Sequence, residues 1–169
     1  MARRSRSREV TLQLLFQKDQ NDVAVPRLAI TKFANDRLKD PELIDFALAL
    51  YDGVLKHQPE IDQLVTATAE KWRLSRIMPV DRNVLRLGTF ELLHSPDDSP
   101  TAVVINEAIE LARRFATADS PGFINGILDK IAQNHAKAKL AAATPTPEPI
   151  QVSITETAPP TEPSPPFHE

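Results

Sequence analysis

Four arginines within six residues, Arg3, Arg4, Arg6 and Arg8, give this chain its densest set of groups able to do chemistry, and that chemistry is the neutralisation of phosphates. Each such contact releases a counterion, so binding through them falls steeply with salt and reads no sequence. A second group lies far along the chain in Asp119-Ser120-Pro121-Gly122-Phe123-Ile124-Asn125-Gly126. An aromatic at a helix start is either a platform on which an unpaired base stacks or a core side chain. Asn125 and Asp119 are able to read base edges or riboses, or else to serve as a solvated helix position and an N-terminal carboxylate. Gly126 marks either two crossing helices or space left for a ligand.

Reactive constellations are scarce. His57, His94, His135 and His168 are scattered and none belongs to HExxH, so metal catalysis has little support and no metal site is expected. GxGxxG, GxxxxGK[ST] and GxSxG are all missing, which removes the usual backbone devices for nucleotide binding and serine hydrolysis. Asp97-Asp98 reads as an ordinary loop pair. Without cysteine there is no disulfide framework and no thiolate ligand. The reading is therefore binding without catalysis or cofactor, in the cytoplasm, with no membrane association.

The elements that position these groups are helical. Of 169 residues 41% are hydrophobic, enough for one domain with a core. Apolar residues recur at three and four with no run of strict alternation. The spacing predicts about seven helices in two small bundles: Ser5 to Lys18; one after Pro26; one opened by Asp40-Pro41; a fourth started by Pro59 and holding Trp72 in register; Val80 to His94; one carrying Val104 to Phe115 inward, with Glu110 pairing Arg114; and a last one capped by Ser120 with Pro121 first. On the fifth, Arg82, Asn83 and Arg86 are expected on an open face suited to a protein partner.

Charge and proline divide the chain. The arginine leader sits on a body, residues 9 to 135, with 14 basic against 19 acidic residues, which suits a local polyanion contact. Seven prolines punctuate that body and eight crowd between Pro145 and Pro166. The domain is placed at 1–136 and an Ala/Pro-rich tail at 137–169, disordered from about residue 142, with Ala136 to Ala143 able to prolong the last helix.

Four blocks carry a resemblance: Arg3-Arg4-Ser5-Arg6-Ser7-Arg8-Glu9; Pro79-Val80-Asp81-Arg82-Asn83-Val84-Leu85-Arg86-Leu87 with Glu91-Leu92-Leu93; Val104-Ile105-Asn106-Glu107-Ala108-Ile109-Glu110-Leu111-Ala112; and Phe123-Ile124-Asn125-Gly126-Ile127-Leu128-Asp129. In this order they resemble the NusB family of bacterial transcription antitermination factors, over about residues 3 to 135. The resemblance implies an all-helical fold of two bundles that binds single-stranded boxA RNA together with ribosomal protein NusE and helps RNA polymerase pass termination signals, notably in ribosomal RNA operons. It implies that Arg3, Arg4, Arg6, Arg8, Asp119, Phe123 and Asn125 face RNA, and that Arg76, Asp81, Arg82 and Arg86 face NusE.

Ala116 stands where the family commonly has Gly, so a left-handed cap there would be strained. Related domains accompany some ribosomal RNA cytosine methyltransferases, and a helical interaction scaffold is a further alternative. The mixed apolar and arginine surface also offers a homodimer contact that would mask the RNA face.

Overall fold

The stripe Ala47, Leu50, Tyr51, Val54, Ile61 and Val65 keeps helical spacing straight through Pro59, and the chain obeys the stripe rather than the proline. In the computed structural model, which describes residues 2–94 and 99–143, Pro41–Thr68 is one 28-residue helix. An interior proline removes one hydrogen bond and costs about 3 kcal/mol. Burial of the residues on both sides outweighs it, so the two helices expected here are one.

Six α-helices are found among the described residues: α1 (Ala2–Gln20), α2 (Arg27–Leu38), α3 (Pro41–Thr68), α4 (Pro79–His94), α5 (Thr101–Phe115) and α6 (Ser120–Ala143), with a 3-10 turn at Leu74–Arg76. The all-helical expectation holds. α1, α2 and α3 pack as one group, α4, α5 and α6 as another, and α4 joins them through its contacts with α1 and α3. Val84, Leu85 and Leu87 on α4 are at most 1% exposed, which makes α4 the central helix. Among the described residues no helix is long and apolar enough to cross a membrane.

Local signals set several boundaries. Lys39 closes α2 with φ 56°, and the Asp40 side chain then accepts the amide of Glu42 at 3.0 Å to cap α3. Ala116 follows α5 in extended conformation (φ −114°, ψ −166°), so it needs no left-handed cap and causes no strain. The Phe123 amide bonds to the Asp119 carbonyl, which makes Asp119 the cap residue and Ser120 and Pro121 the first two helical positions, so the cap falls one residue earlier than expected. α6 continues to Ala143, over the Ala136 to Ala143 stretch whose composition favours prolonging the helix. Asp97-Asp98 and the tail from residue 144 lie outside the described residues.

Two details depart from the periodicity. Phe115, expected inward, is 38% exposed, and with Phe16, 39% exposed, it flanks one shallow groove that also holds Leu12 and Val80. Arg114 pairs with Glu9 of α1 at 2.9 Å instead of Glu110, because the α1 contact supplies a buried carboxylate where a helix flank offers only a solvated one.

Candidate nucleic-acid interface

The leader does not present four equivalent cations. α1 puts Ser7 and Thr11 one turn apart against α3, where their hydroxyls donate to the carbonyls of Leu43 and Ala47 at 2.9 and 3.0 Å. These small side chains let the helices approach closely and turn Arg8 inward. Arg8 donates to Glu91 through Nε at 2.9 Å and Nη2 at 2.7 Å, and both side chains are at most 3% exposed. Glu107 lies 3.7 Å from its Nη1. Arg8, expected to meet RNA, is thus a buried cross-link between α1 and α4, because burying a guanidinium requires a carboxylate partner and Glu91 provides it in bidentate geometry.

Arg3, Arg4 and Arg6 stand nearer the surface. Arg3 pairs with Asp40 and Arg6 with Glu9, both at the surface end of the guanidinium, while Arg4 lies over the Phe46 ring with its carbon 5.0 Å from the centroid. The Arg3–Asp40 pair, at the surface, holds its side chains weakly and exchanges for a phosphate at small cost, whereas the carboxylate that holds Arg6 is only 6% exposed. The leader thus presents three arginines outward and commits the fourth to the interior.

The second group forms at the other end of α4. Ser120 Oγ accepts from the Thr117 amide at 3.2 Å and donates to Asp81 Oδ2 at 2.9 Å, pinning the start of α6 to the first turn of α4. Asp81 is buried and its Oδ1 has no partner among the described residues. Burial pushes its carboxyl above the usual carboxylate range, against the opposing pull of the Ser120 hydroxyl.

Ile124, Ile127, Leu128 and Ile131 form the buried stripe of α6. That stripe leaves Asn125 and Gly126 exposed and Phe123 half-buried at its edge. A Cβ added at Gly126 would meet nothing within 4 Å, so Gly126 is not a helix-crossing contact.

Phe123 meets Trp72 edge to face, centroids 6.2 Å apart at 72°. The expectation put Trp72 inside a helix, but α3 ends at Thr68 and the ring is 54% exposed. Trp72 is the site residue the sequence reading missed. Its signal was its place, directly before the Arg73-to-Pro79 junction where a helical register has no claim. Trp72, Arg76, Met78, Asp81, Asp119 and Phe123 line a cavity of about 280 Å³. Residues expected to face a protein and residues expected to face RNA thus share one surface.

Arg82 and Arg86 do not share it. Arg86 grips Asp62 through Nε and Nη2 at 2.7 and 2.8 Å and Asp19 through Nη1 at 2.9 Å. Arg82 donates to Asp19 at 2.6 Å and to the Ile77 carbonyl at 3.0 Å. Asn83, 1% exposed, adds a bond to Asp19 at 3.2 Å. Burial alone would raise the Asp19 carboxyl, but the hydrogen bonds from Arg82 and Arg86 outweigh it and hold it below its ordinary value. The face expected to be open is the polar seam between α1, α3 and α4, because α1 ends over it and delivers Asp19.

These contacts also fix the spacing of the two groups. Arg8 meets α4 at Glu91 and Asp19 meets it at Arg82, so α1 and α4 are antiparallel, and the leader sits at the end of α4 away from Phe123. Asp81 and Glu91 are ten residues apart, about 15 Å along the helix. The leader and the aromatic turn therefore do not lie side by side but form two stations on one axis.

An all-helical domain in which two three-helix groups share a central helix, with exposed arginines at one end of it and an exposed Trp72 against a half-buried Phe123 at the other, belongs to the class of small binding domains. The NusB family profile matches residues 5–133, and the chain belongs to that family. It is 40% identical over 134 residues to the transcription antitermination protein NusB of Sorangium cellulosum, covering 79% of this chain and 94% of that protein. It is 42% identical over 131 residues to the same-named protein of Desulforamulus reducens, covering 78% and 90%.

Among solved structures, NusB of T. maritima superposes with a TM-score of 0.69 at 38% identity, covering 82% of this chain and 96% of that one. A complex of antitermination factors NusB and NusE with double-stranded RNA superposes at 0.71 with 24% identity, covering 79% and 98%, a likeness of fold.

Proposed function

We propose that this protein is a non-catalytic RNA-binding adaptor of transcription antitermination, acting in the cytoplasm. It holds single-stranded boxA-like RNA jointly with ribosomal protein NusE and so helps RNA polymerase pass termination signals in ribosomal RNA operons. The observation that carries this reading is the Trp72–Phe123 pair, two aromatic rings at the surface beside Arg76. An aromatic pair half outside the core sacrifices burial of about 25 cal/mol per Å² of apolar surface, a cost that a stacked base would recover at roughly 1 to 3 kcal/mol.

In this reading Arg3, Arg4 and Arg6 hold phosphates, Phe123 and Trp72 stack bases, and Asn125 and Asp119 contact base edges or riboses. Arg76, exposed on the same surface, would contact NusE, while Asp81, expected to face it as well, is buried beneath and acts indirectly by holding Ser120. Arg8, Arg82 and Arg86 act indirectly, by fixing α1 and α4. The shallow Phe16 and Phe115 groove is the apolar surface available to a second copy in a homodimer.

The test uses Trp72, the chain's single tryptophan, as its own reporter. Titration with boxA-like RNA should change its emission, NusE should tighten the RNA binding, and Phe123→Ala should weaken it by about 1 to 3 kcal/mol with the fold unchanged. Equal binding of duplex RNA, or no effect of NusE, would reject the single-stranded adaptor.

A further inference from the structure

His57 and Glu60 flank Pro59 on α3, and His94 ends α4; scattered in sequence, they meet where these helices pack. Glu60 Oε2 lies 3.2 Å from His57 Nδ1 and 3.6 Å from His94 Nε2. The two imidazoles stack with centroids 4.0 Å apart and 23° between their planes. Two ring nitrogens from different helices thus converge on one carboxylate oxygen. Among the described residues, His94 Nε2 is buried and has no hydrogen-bond partner.

The arrangement is braced from beneath. The Phe90 ring lies 6.0 Å from His57 and 5.8 Å from His94. It is seated on Gly53, where any Cβ would overlap it. Gly53 and His57 are one turn apart on α3, as Phe90 and His94 are on α4, so the packing that seats the phenyl ring also sets the distance between the imidazoles. Apolar surroundings of this kind lower the local dielectric around a metal and restrict solvent.

Two imidazoles and a carboxylate form a donor set for a borderline first-row divalent ion, with zinc the usual occupant. Bonds of about 2.0 to 2.2 Å at tetrahedral angles place donor atoms about 3.3 Å apart, and the two separations from Glu60 Oε2 bracket that value. All three donors lie within 4.8 Å of one another. Glu60 is 57% exposed, which gives an ion a path in and gives the carboxylate room to adjust.

We propose that His57, Glu60 and His94 form a zinc site that ties the second half of α3 to the end of α4, with water completing the coordination. The site is independent of the aromatic surface, which lies at the opposite end of α4.

Isothermal titration of the full chain with zinc chloride alone should show one ion bound per chain, with a higher melting temperature at saturation. Magnesium chloride, whose ion prefers oxygen donors, should give neither effect. His57→Gln and His94→Gln should each lower zinc affinity by more than the roughly tenfold that even an outer-shell change costs, and His135→Gln should leave it unchanged. Absence of zinc uptake by the wild-type chain, or equal uptake by the His57→Gln/His94→Gln double variant, would overturn the proposal. If the histidine variants fail to fold by circular dichroism, Glu60→Gln on the exposed side carries the same expectation, and unchanged affinity there also overturns it.

Discussion

Arg8 and Glu91 form a bidentate ion pair, 2.9 and 2.7 Å, buried between the first turns of α1 and the last turn of α4. An arginine from a run that looks built for polyanions is thereby committed to holding two helices together, and the functional surface depends on it without including it.

Arg8→Ala should consequently cost stability, about 3 to 5 kcal/mol, since it breaks a buried ion pair by removing one partner. Urea denaturation measures this directly. Arg3→Ala, whose pair lies at the surface, should change stability by less than about 1 kcal/mol. A stable, fully folded Arg8→Ala chain would show that the pair is not the anchor.

RNA binding should report the exposed arginines through its salt dependence. Removing Arg3 and Arg6 together should reduce the slope of log affinity against log salt by about 0.7 for each single-strand phosphate that is no longer neutralised. Because Asp81 and Glu91, the α4 residues to which the two stations are anchored, lie about 15 Å apart along the helix, oligonucleotides shorter than roughly four to five stacked residues at 3.4 Å each should engage only one station. Their affinity should then lose sensitivity either to the arginine changes or to Phe123→Ala. A length series in which a dinucleotide feels both substitutions would place the stations together.

Asp81 should make a pH signature of opposite sign to Asp19. The Asp81 carboxyl is raised in the fold, so its contribution is complete below the unfolded pKa of about 3.9 and is lost as pH rises through the higher folded value. Above that value it is a buried carboxylate with one oxygen lacking a partner among the described residues, and Asp81→Asn should there raise stability by roughly 1 kcal/mol, with the gain shrinking toward acid pH. Asp19 is lowered, so its contribution is complete above the unfolded pKa and fades as pH falls through the folded one. Asp19→Asn should destabilise at neutral pH and lose its effect in acid. Denaturation curves at several pH values separate the two; parallel shifts for both variants would contradict these assignments.

Two glycines should respond in opposite directions. Gly53→Ala drives a methyl into the Phe90 ring and should cost about 1 to 3 kcal/mol. Gly126→Ala meets open space on an exposed helix face and should stabilise by up to about 1 kcal/mol. If a strand passes over α6, the same Gly126→Ala chain should bind RNA less well despite its higher stability. Melting temperature and RNA titration on one preparation check both statements.

The helices were legible in the sequence wherever an apolar stripe had one side to face. α5 shows Val104, Ala108, Leu111 and Ala112 inward as its periodicity requires. The buried side of α6 follows its stripe in the same way. Pro59 misled because proline is a local signal, while the stripe that overrides it runs along a helix of 28 residues. Phe123 and Asn125 were found because they stood off the stripe of a strongly patterned helix. Trp72 was not, since its apparent register belonged to a helix that had already ended.

By itself the sequence determined an all-helical body, an arginine leader, an aromatic turn and membership of a family, because each depends on spacing within a few consecutive turns. Only the tertiary structure decided which charges face water. Arg3 and Arg8 have the same chemistry and lie close together in one helix, yet one is 71% exposed and the other 3%. The difference comes from Glu91, 83 residues further on. A buried charge is stable only with a partner, and the partner's position is a property of how the helices pack.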